Sequence, residues 1–398
     1  METKAAALKV FEKYYSEWEA NKSRMNNGYT YESTFVEMMR KVETEVLQVS
    51  TGHVPKGKNE KKKVQTSVGK LEINKKHVLT QSPSEFSVSS YTQELMCYMG
   101  QHMVFEDASE VIKTLSGVEL NAKQIERICH KYGQWIEEED LALMKKSGQQ
   151  AYSKQEIEAV HYASVDGSMY LTREQGWKEI KLGRIFKASD IVEVNEKRNI
   201  LVDSTFVGHL GTHTDFLPKM EYHLDGLKNV VFIADGAKWI WNWIEDAYPE
   251  SIQILDFFHA LEHLCQFAKQ YYLDEKIRNK WIDKQATCLK EEDVSVFIKN
   301  IEVLPISINP KIEESKRLLL EYYKTHKNRM QYKKFLDDGL LIGSGAMEAA
   351  HRNVLQQRLK LSGQRWTIEG LQQMTQLRVV YKSDKWDRIK KFATKNAA

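Results

Sequence analysis

The chain has 398 residues, a length that predicts two or three domains with substantial hydrophobic cores. Its 42% hydrophobic and 28% charged residues are typical of globular proteins and exclude a disordered or fibrous chain. No apolar run reaches the roughly 18 residues of a membrane span, and no signal-peptide core begins the chain, so we expect a cytoplasmic protein with no membrane partner. The four cysteines are scattered along the sequence. We therefore expect no disulfides and no cysteine zinc site.

The net charge of +3 is unevenly distributed. From His351 onward there are eleven Lys or Arg and three Asp or Glu, so this segment carries +8 and the rest of the chain −5. Clustered positive charge can neutralise phosphates, although a solvated helix face explains the same run. We expect a basic C-terminal tail, which by itself indicates nucleic acid only weakly.

Residues 1–150 are predicted to be mostly helical. Apolar residues recur at helical spacing from Ala5 to about Leu47, which predicts two helices. The basic run at 56–63 is expected to be a mobile loop, and β-branched residues at 64–80 indicate a hairpin. Helical periodicity then returns over 87–145.

Residues 105–132 have the outline of a helix-turn-helix. A first helix breaks at Ser116 and Gly117, and Asn121 can cap a second helix that is predicted to run through Tyr132. A helical hairpin without DNA-binding function fits this spacing equally well. In the helix-turn-helix interpretation, the basic residues of the second helix contact DNA, and the candidates are Lys123 and Arg127.

The pattern changes after residue 150. Three short strand-like runs predict a meander within 151–210, and a strand, a helix and another strand follow before residue 260. That order is typical of an α/β ribonuclease-H-like domain. Helical periodicity over 261–340 predicts an all-helical insertion, and 341–398 would form the final helix and the basic tail.

Two aspartates each end a strand-like run and precede a glycine. They are Asp166 and Asp235. Strand tips of α/β sheets hold ligands in a crevice, but Asp-Gly is also a common turn dipeptide, so each aspartate alone is compatible with an ordinary turn. As a pair they suit Mg²⁺ or Mn²⁺, which prefer oxygen ligands and can act in pairs on a phosphodiester.

A third acid is expected on the final helix. Glu348 lies in the first turn after Gly345, a position that the helix dipole also favours without any catalytic role. The residues that follow add guanidinium and ammonium groups suited to phosphate, namely Arg352, Arg358, Lys360 and Arg365. We therefore expect Asp166, Asp235 and Glu348 to be catalytic ligands of two metal ions, and these basic residues to contact DNA.

Four motifs resemble those of bacterial insertion-sequence DDE transposases, most closely the Kra-type family allied to Mutator-like transposases. They are VDGS at 165–168, ADGAKWIW at 234–241, LDFFHALEHL at 255–264 and GSGAMEAAHRNVLQQRLKLSGQRW at 343–366. The resemblance implies catalytic acids on the first strand, the fourth strand and the last helix, which are the three acids above.

The resemblance also implies a role for an Asp and a His near the fifth strand, matched by Asp256 and His259. His259 would support the scissile phosphate or the flanking backbone, and Asp256 would orient it or compete for metal. The alternative is that the pair only caps a strand and a helix. Trp239 is a candidate for stacking on an unpaired base, although helical spacing favours core packing for at least Trp243 among the neighbouring tryptophans.

The resemblance implies a nucleoid-associated enzyme that cuts and joins DNA strands at transposon ends, with double-stranded DNA as partner and a homodimer or larger assembly. The cysteine-paired zinc-ribbon element that such proteins carry before the helix-turn-helix is missing from this sequence. Two alternatives remain: a ribonuclease-H-like nuclease without strand transfer, and a domesticated, non-catalytic DNA-binding protein.

Overall fold

The computed structural model describes residues 2–81, 86–195 and 198–394. These residues form two compact units. The helical unit comprises the chain up to Asp140 together with Glu369–Tyr381 and the residues from Lys385 onward, and the sheet unit comprises Leu141–Ile368 and Lys382–Asp384. In the described ranges no helix is both long enough and apolar enough to cross a membrane.

The first half of the chain alternates helical and strand segments. In chain order these are α1 (Glu2–Ala20), α2 (Gly28–Ser50), β1 (Lys61–Thr66), β2 (Gly69–Asn74), α3 (Ser90–His102), α4 (Phe105–Ser116), α5 (Ala122–Ser147), α6 (Lys154–Glu158), β3 (Val160–Thr172), β4 (Gly176–Lys187), β5 (Ile191–Asn195), β6 (Arg198–Leu201) and β7 (Thr205–Leu210).

The second half is mostly helical. It contains α7 (His213–Leu224), β8 (Asn229–Ala234), α8 (Lys238–Ala247), β9 (Ile252–Leu255), α9 (Phe257–Tyr271), α10 (Glu275–Glu291), α11 (Val294–Glu302), α12 (Pro310–Thr325), α13 (Tyr332–Asp337), α14 (Gly345–Ala350), a π-helical segment (His351–Gln356), α15 (Gln357–Leu359), α16 (Ile368–Lys382) and α17 (Asp387–Thr394).

The predictions for the N-terminal region are largely confirmed. Two helices begin the chain, and β1 and β2 form the expected antiparallel hairpin. The prediction of a mobile loop over residues 56–63 is wrong for residues 61–63, because these belong to β1. Asn121 caps α5 by accepting a hydrogen bond from the backbone N–H of Lys123 at 2.8 Å, but this helix continues to Ser147 instead of ending at Tyr132.

The prediction of a basic C-terminal tail is wrong, because this segment is helical and its residues contact other helices of the same unit. Gly133 of α5 lies so close to the backbone of Gln373 that a β-carbon there would be 2.1 Å from its carbonyl oxygen. Arg378 is buried and donates to the backbone and side-chain oxygens of Gln101. Most of the segment from residue 369 onward therefore completes the helical unit instead of extending into solvent.

The sheet unit is built on a five-stranded mixed sheet with the order β7-β4-β3-β8-β9. β7, β4 and β3 are antiparallel neighbours, whereas β3, β8 and β9 are parallel. β8 has the sequence NVVFIA and is buried along nearly its whole length, as expected for a strand between two parallel neighbours. The three-strand meander followed by strand, helix and strand is confirmed, with β5 and β6 as an additional hairpin.

Helices pack closely on the sheet. Gly183 of β4 lies beneath α7, where a β-carbon would be 2.1 Å from the sulfur of Met220. The indole N–H of Trp241 in α8 donates to the backbone carbonyl of Asp235 at 2.7 Å, which ties that helix to the end of β8. Between β9 and residue 343 the chain is helical, as predicted for 261–340, and five helices (α9 to α13) occupy this stretch.

Candidate active site

Three aspartates form one row across the parallel strands β3, β8 and β9. Asp235 and Asp256 directly follow β8 and β9. The prediction that Asp166 ends a strand is wrong, because β3 continues to Thr172 and Asp166 is paired with β4 within it. In the register of β3 and β8, Asp166 and Asp235 occupy equivalent positions, three residues beyond the final matched pair. In the register of β8 and β9, Asp235 and Asp256 are equivalent, one residue beyond the final pair. Equivalent residues of adjacent parallel strands point to the same face, and neighbouring strands are about 4.8 Å apart. The sheet thus gathers three carboxylates in one row across three adjacent strands.

Asp235 is the middle carboxylate of this row. It is half-buried, and its Oδ1 accepts a hydrogen bond from the backbone N–H of Ala237 at 2.9 Å. Burial raises the pKa of Asp235, and the nearby carboxylates of Asp166 and Asp256 raise it further, against the lowering effect of the Ala237 hydrogen bond. The neighbouring carboxylates therefore favour a positively charged group beside Asp235.

Asp256 is nearly enclosed, at 4% exposure. One carboxylate oxygen accepts from the backbone N–H of His259 at 2.8 Å and caps α9. The other oxygen accepts from the backbone N–H of Ser344, just before α14. Asp256 therefore joins the start of α9 to the loop before the final helix, and it contacts the backbone of His259 rather than its ring.

Asp166 is held from two sides. Its Oδ1 accepts from the backbone N–H of Gly167 at 2.7 Å. Its Oδ2 lies 3.4 Å from Nε2 of His351, a buried histidine whose Nδ1 is 3.1 Å from the hydroxyl of Ser168. Burial lowers the pKa of His351, and the carboxylate of Asp166 opposes this effect.

Glu348 lies in the first turn of α14, where its side chain is exposed. It borders a cavity of about 200 Å³ that the three aspartates and His259 also line. The cavity is lined by Val165, Asp166, Ile233, Ala234, Asp235, Asp256, Phe258, His259, Glu262, Ser344, Met347 and Glu348. All five residues expected at the catalytic centre are thus brought to one cavity, and Glu262 adds a further carboxyl group that the sequence had not singled out.

The cavity offers hard oxygen donors, which suit Mg²⁺ or Mn²⁺. The cluster of carboxylates around the half-buried Asp235 is the observation that fits a cation. With the side chains as they stand, no three His, Cys, Asp or Glu residues in the described ranges are close enough together to share one ion. Rotation of side chains such as the exposed Glu348 would be needed to complete a coordination sphere.

One predicted DNA contact is wrong. Arg358 is only 1% exposed, and its guanidinium lies 5.1 Å from the ring centroid of Trp366. It is placed on the inner side of the final helix and cannot reach a phosphate. Arg352, Lys360 and Arg365 are exposed and remain predicted DNA contacts.

Trp239 is half-buried beside a buried lysine. Nζ of Lys181 lies 5.1 Å from the ring centroid of Trp239, and the ring of His213 is 5.5 Å away on another side. Lys181 also pairs with Glu179, whose carboxylate covers Gly167. The indole ring of Trp239 is therefore partly covered by Lys181 and His213. Base stacking by Trp239 stays a prediction.

In the helical unit, Lys123 and Arg127 are both exposed on α5. Lys123 forms an ion pair with Glu126 at 2.5 Å. Because surface ion pairs of this kind are weak, the pair leaves Lys123 able to exchange its partner for a phosphate. Their role on DNA stays a prediction.

Sequence reasoning missed His351 and Tyr322. His351 comes three residues after Glu348 on the same helical face, a spacing that could have drawn attention to it. The ring of Tyr322 reaches Gly236 from the distant α12, and no local pattern signals that contact.

Comparison with known proteins identifies a family for the chain. No curated protein matches the chain. The model of the Uncharacterised protein family (UPF0236) matches residues 102–395, which include the aspartate row, Glu348 and His351. That match extends over well more than half of the sequence. The chain therefore belongs to the uncharacterised protein family UPF0236.

Proposed function

We propose that this protein is a DDE-type DNA transposase that cleaves and joins DNA strands at insertion-sequence ends. The observation that carries the proposal is the convergence of Asp166, Asp235 and Glu348 on one cavity. The three acids come from a first strand, a fourth sheet strand and the final helix, and the strand order supports a ribonuclease-H-like catalytic domain interrupted by a helical insertion.

In this proposal Asp166, Asp235 and Glu348 hold two Mg²⁺ or Mn²⁺ ions. The bound ions would supply activation of the attacking oxygen and stabilisation of the leaving oxygen in phosphoryl transfer. The chain itself supplies the preorganisation: backbone N–H groups fix Asp166 and Asp235, and Asp256 fixes the loop that leads into Glu348. His259 lines the cavity, and in this proposal it contacts the scissile phosphate or the flanking backbone.

Double-stranded DNA is the proposed partner. The exposed basic residues near the final helix would bind the phosphates close to the cavity, and Lys123 and Arg127 would bind DNA through the helical unit. Joining two transposon ends to a target requires both ends together, so we propose that a dimer or larger assembly is the active form. Such an enzyme would act at the nucleoid.

A metal-dependent nuclease without strand transfer would use the same carboxylates, so cleavage alone does not distinguish it. The test is cleavage and strand transfer with DNA that carries the element's ends, in Mg²⁺ and in Mn²⁺. Asp166→Asn, Asp235→Asn and Glu348→Gln should each abolish both reactions while end binding is retained. Glu250→Gln, at an exposed position outside the cavity, is the matched control.

Full cleavage by any of the three variants would refute the assignment. Cleavage without strand transfer in the parent protein would favour the nuclease. End binding with no metal-dependent reaction in the parent protein would favour a non-catalytic DNA-binding protein.

A further inference from the structure

His351 occupies an unusual position for a buried histidine. It is 4% exposed, and its Nδ1 is within hydrogen-bonding distance of the hydroxyl of Ser168. Its Nε2 is buried and makes no hydrogen bond in the described part of the chain, yet it stands 3.4 Å from Oδ2 of Asp166. Such a distance is long for a hydrogen bond but within ion-pair range. Because a carboxylate only accepts, the tautomer that favours Asp166 has the proton on Nε2. Nδ1 then faces the hydroxyl of Ser168, which also lies 3.0 Å from the hydroxyl of Tyr170.

The helix geometry connects His351 with Glu348. Residues three apart on a helix are neighbours on one face, so His351 follows Glu348 along the side that meets β3. At His351 the helix changes from α-helical to π-helical, and this form continues to Gln356. Short π-helical stretches are rare and are often found at functional sites.

A buried arginine holds the helix on the other side of Glu348. Arg184 of β4 donates from its Nη1 to the carbonyl oxygen of Ala346 at 2.5 Å and from its Nε to the hydroxyl of Ser204 at 3.0 Å. It forms no ion pair with an acid among the residues that the structure describes. The helix that carries Glu348 is therefore fixed to the sheet before this residue by Arg184 and after it by His351.

Arg184 and His351 contact different kinds of groups. Arg184 touches only the backbone of the helix, whereas His351 touches the carboxylate of Asp166 as well as Ser168. We propose that His351 is a positioning residue, which orients the carboxylate of Asp166 and couples it to the helix that bears Glu348. The inference rests on the proposed function, because it assigns His351 a task for the same acids.

The alternative interpretation is that His351 is a core residue that only fills space. The two interpretations predict different effects of replacing His351 by glutamine. A glutamine side chain can present an amide N–H toward Asp166 as Nε2 does, whereas alanine and leucine cannot, and leucine still fills the space. A residue that orients a metal-binding carboxylate typically changes metal affinity or activity about 10- to 100-fold when it is lost.

The test compares His351→Gln, His351→Leu and His351→Ala in the full chain. Mn²⁺ affinity is measured by titration calorimetry without DNA, and strand cleavage is measured separately on DNA with the element's ends. We expect His351→Leu and His351→Ala to weaken Mn²⁺ binding and cleavage about 10-fold or more, and His351→Gln to stay within about threefold of the parent. Thermal unfolding confirms that each variant is folded, and His351→Leu serves if the alanine variant is not.

Two outcomes would overturn the proposal: parent-like Mn²⁺ affinity in His351→Leu, or a glutamine variant as impaired as the leucine variant. Asp166→Asn separates this failure from failure of the proposed function. If Asp166→Asn abolishes Mn²⁺ binding and cleavage while His351→Leu changes neither, only the role of His351 is refuted. If Asp166→Asn also changes neither, the metal-binding function itself is refuted.

Discussion

Gly236 lies directly against the ring of Tyr322, so that a β-carbon on this glycine would be 2.5 Å from the ring and 2.6 Å from the hydroxyl oxygen. The glycine follows Asp235, and the tyrosine belongs to α12. The hydroxyl is buried and has no hydrogen-bond partner in the described ranges. Burial raises the pKa of Tyr322, and Asp235 and Asp256 raise it further. The helical stretch after β9 thus reaches the edge of the candidate active site.

Substitution of Gly236 by alanine should therefore be disruptive. The methyl group would push the ring of Tyr322 away or move the backbone that carries Asp235, and overpacking of this kind costs about 1–3 kcal/mol. Urea unfolding of Gly236→Ala should show that loss, accompanied by reduced metal-dependent cleavage. Gly28→Ala is the matched control, because nothing lies within 4 Å of a β-carbon at that position. Equal stability of the two variants would contradict the close contact.

Asp256 should matter for stability as well as for activity. Alanine at this position leaves the N–H groups of His259 and Ser344 without their acceptor, and loss of a helix cap together with a buried hydrogen bond costs about 2–4 kcal/mol. Asp256→Asn keeps one acceptor oxygen and should lose less. Equilibrium unfolding gives the free energies of unfolding of the two variants and so ranks their stabilities. An alanine variant as stable as the parent would show that the hydrogen bonds of Asp256 do not stabilise the fold.

His326 should make the protein sensitive to mild acid. Burial lowers the pKa of His326 to about 4, and Arg329 and His263 contribute to the lowering. Tyr322 and Trp241 also pack against its ring. The unfolded chain takes up a proton near pH 6.5, whereas the folded chain does so only near pH 4. The resulting stability is therefore complete above pH 6.5 and is lost as the pH falls toward 4.

The size of this effect follows from linkage. One pKa unit corresponds to about 1.4 kcal/mol, so His326 should account for roughly 2–3 kcal/mol of acid destabilisation between those pH values. Urea unfolding of His326→Gln at several pH values should give a flatter curve in this interval. His53→Gln, at an exposed histidine, should follow the parent curve. A parent-like slope in His326→Gln would show that another group carries the pH dependence.

The exposed and buried arginines between residues 351 and 366 should differ in their effect on DNA binding. Arg352→Ala and Arg365→Ala should each weaken binding to duplex DNA and reduce the salt slope by about 1, with stability changed by less than about 0.5 kcal/mol. Arg358→Met should instead lower stability and leave the salt slope unchanged, because its guanidinium packs on Trp366. The measurements are fluorescence anisotropy at several salt concentrations and thermal unfolding. A reduced salt slope in a folded Arg358→Met variant would contradict its burial.

The sequence predicts two acids of the site from local signals, because Asp235 follows a buried apolar strand and Glu348 lies in the first turn of a helix. Asp166 was matched by the same apolar pattern, but its strand continues for six residues beyond it. The alignment of Asp166, Asp235 and Asp256 in one row depends on strand register, which no single strand encodes. The strands of the sheet could be predicted because continuous apolar runs, separated by segments with helical periodicity, can be recognised within a short stretch of sequence.

The errors have a different origin. Arg358 was assigned to DNA from its charge, although it lies four residues after the buried Val354 and so shares its face of the helix. The C-terminal segment was expected to be a tail because its charge dominates its composition. Its burial depends on contacts with residues more than two hundred positions away, such as Gln101 and Gly133, which local periodicity does not report.

The return of the chain to the helical unit has a consequence for synthesis. Residues 141–368 supply all of the sheet unit except Lys382–Asp384 and can assemble while later residues are still in the ribosome, whereas the helical unit needs Glu369–Tyr381 and further residues from Lys385 onward. The first part of the protein to be made is therefore the last to be completed. Until then the surfaces of α3 and α5 that receive α16 stay uncovered, so premature termination after the catalytic segment would yield an assembled active-site fold beside an incomplete helical unit.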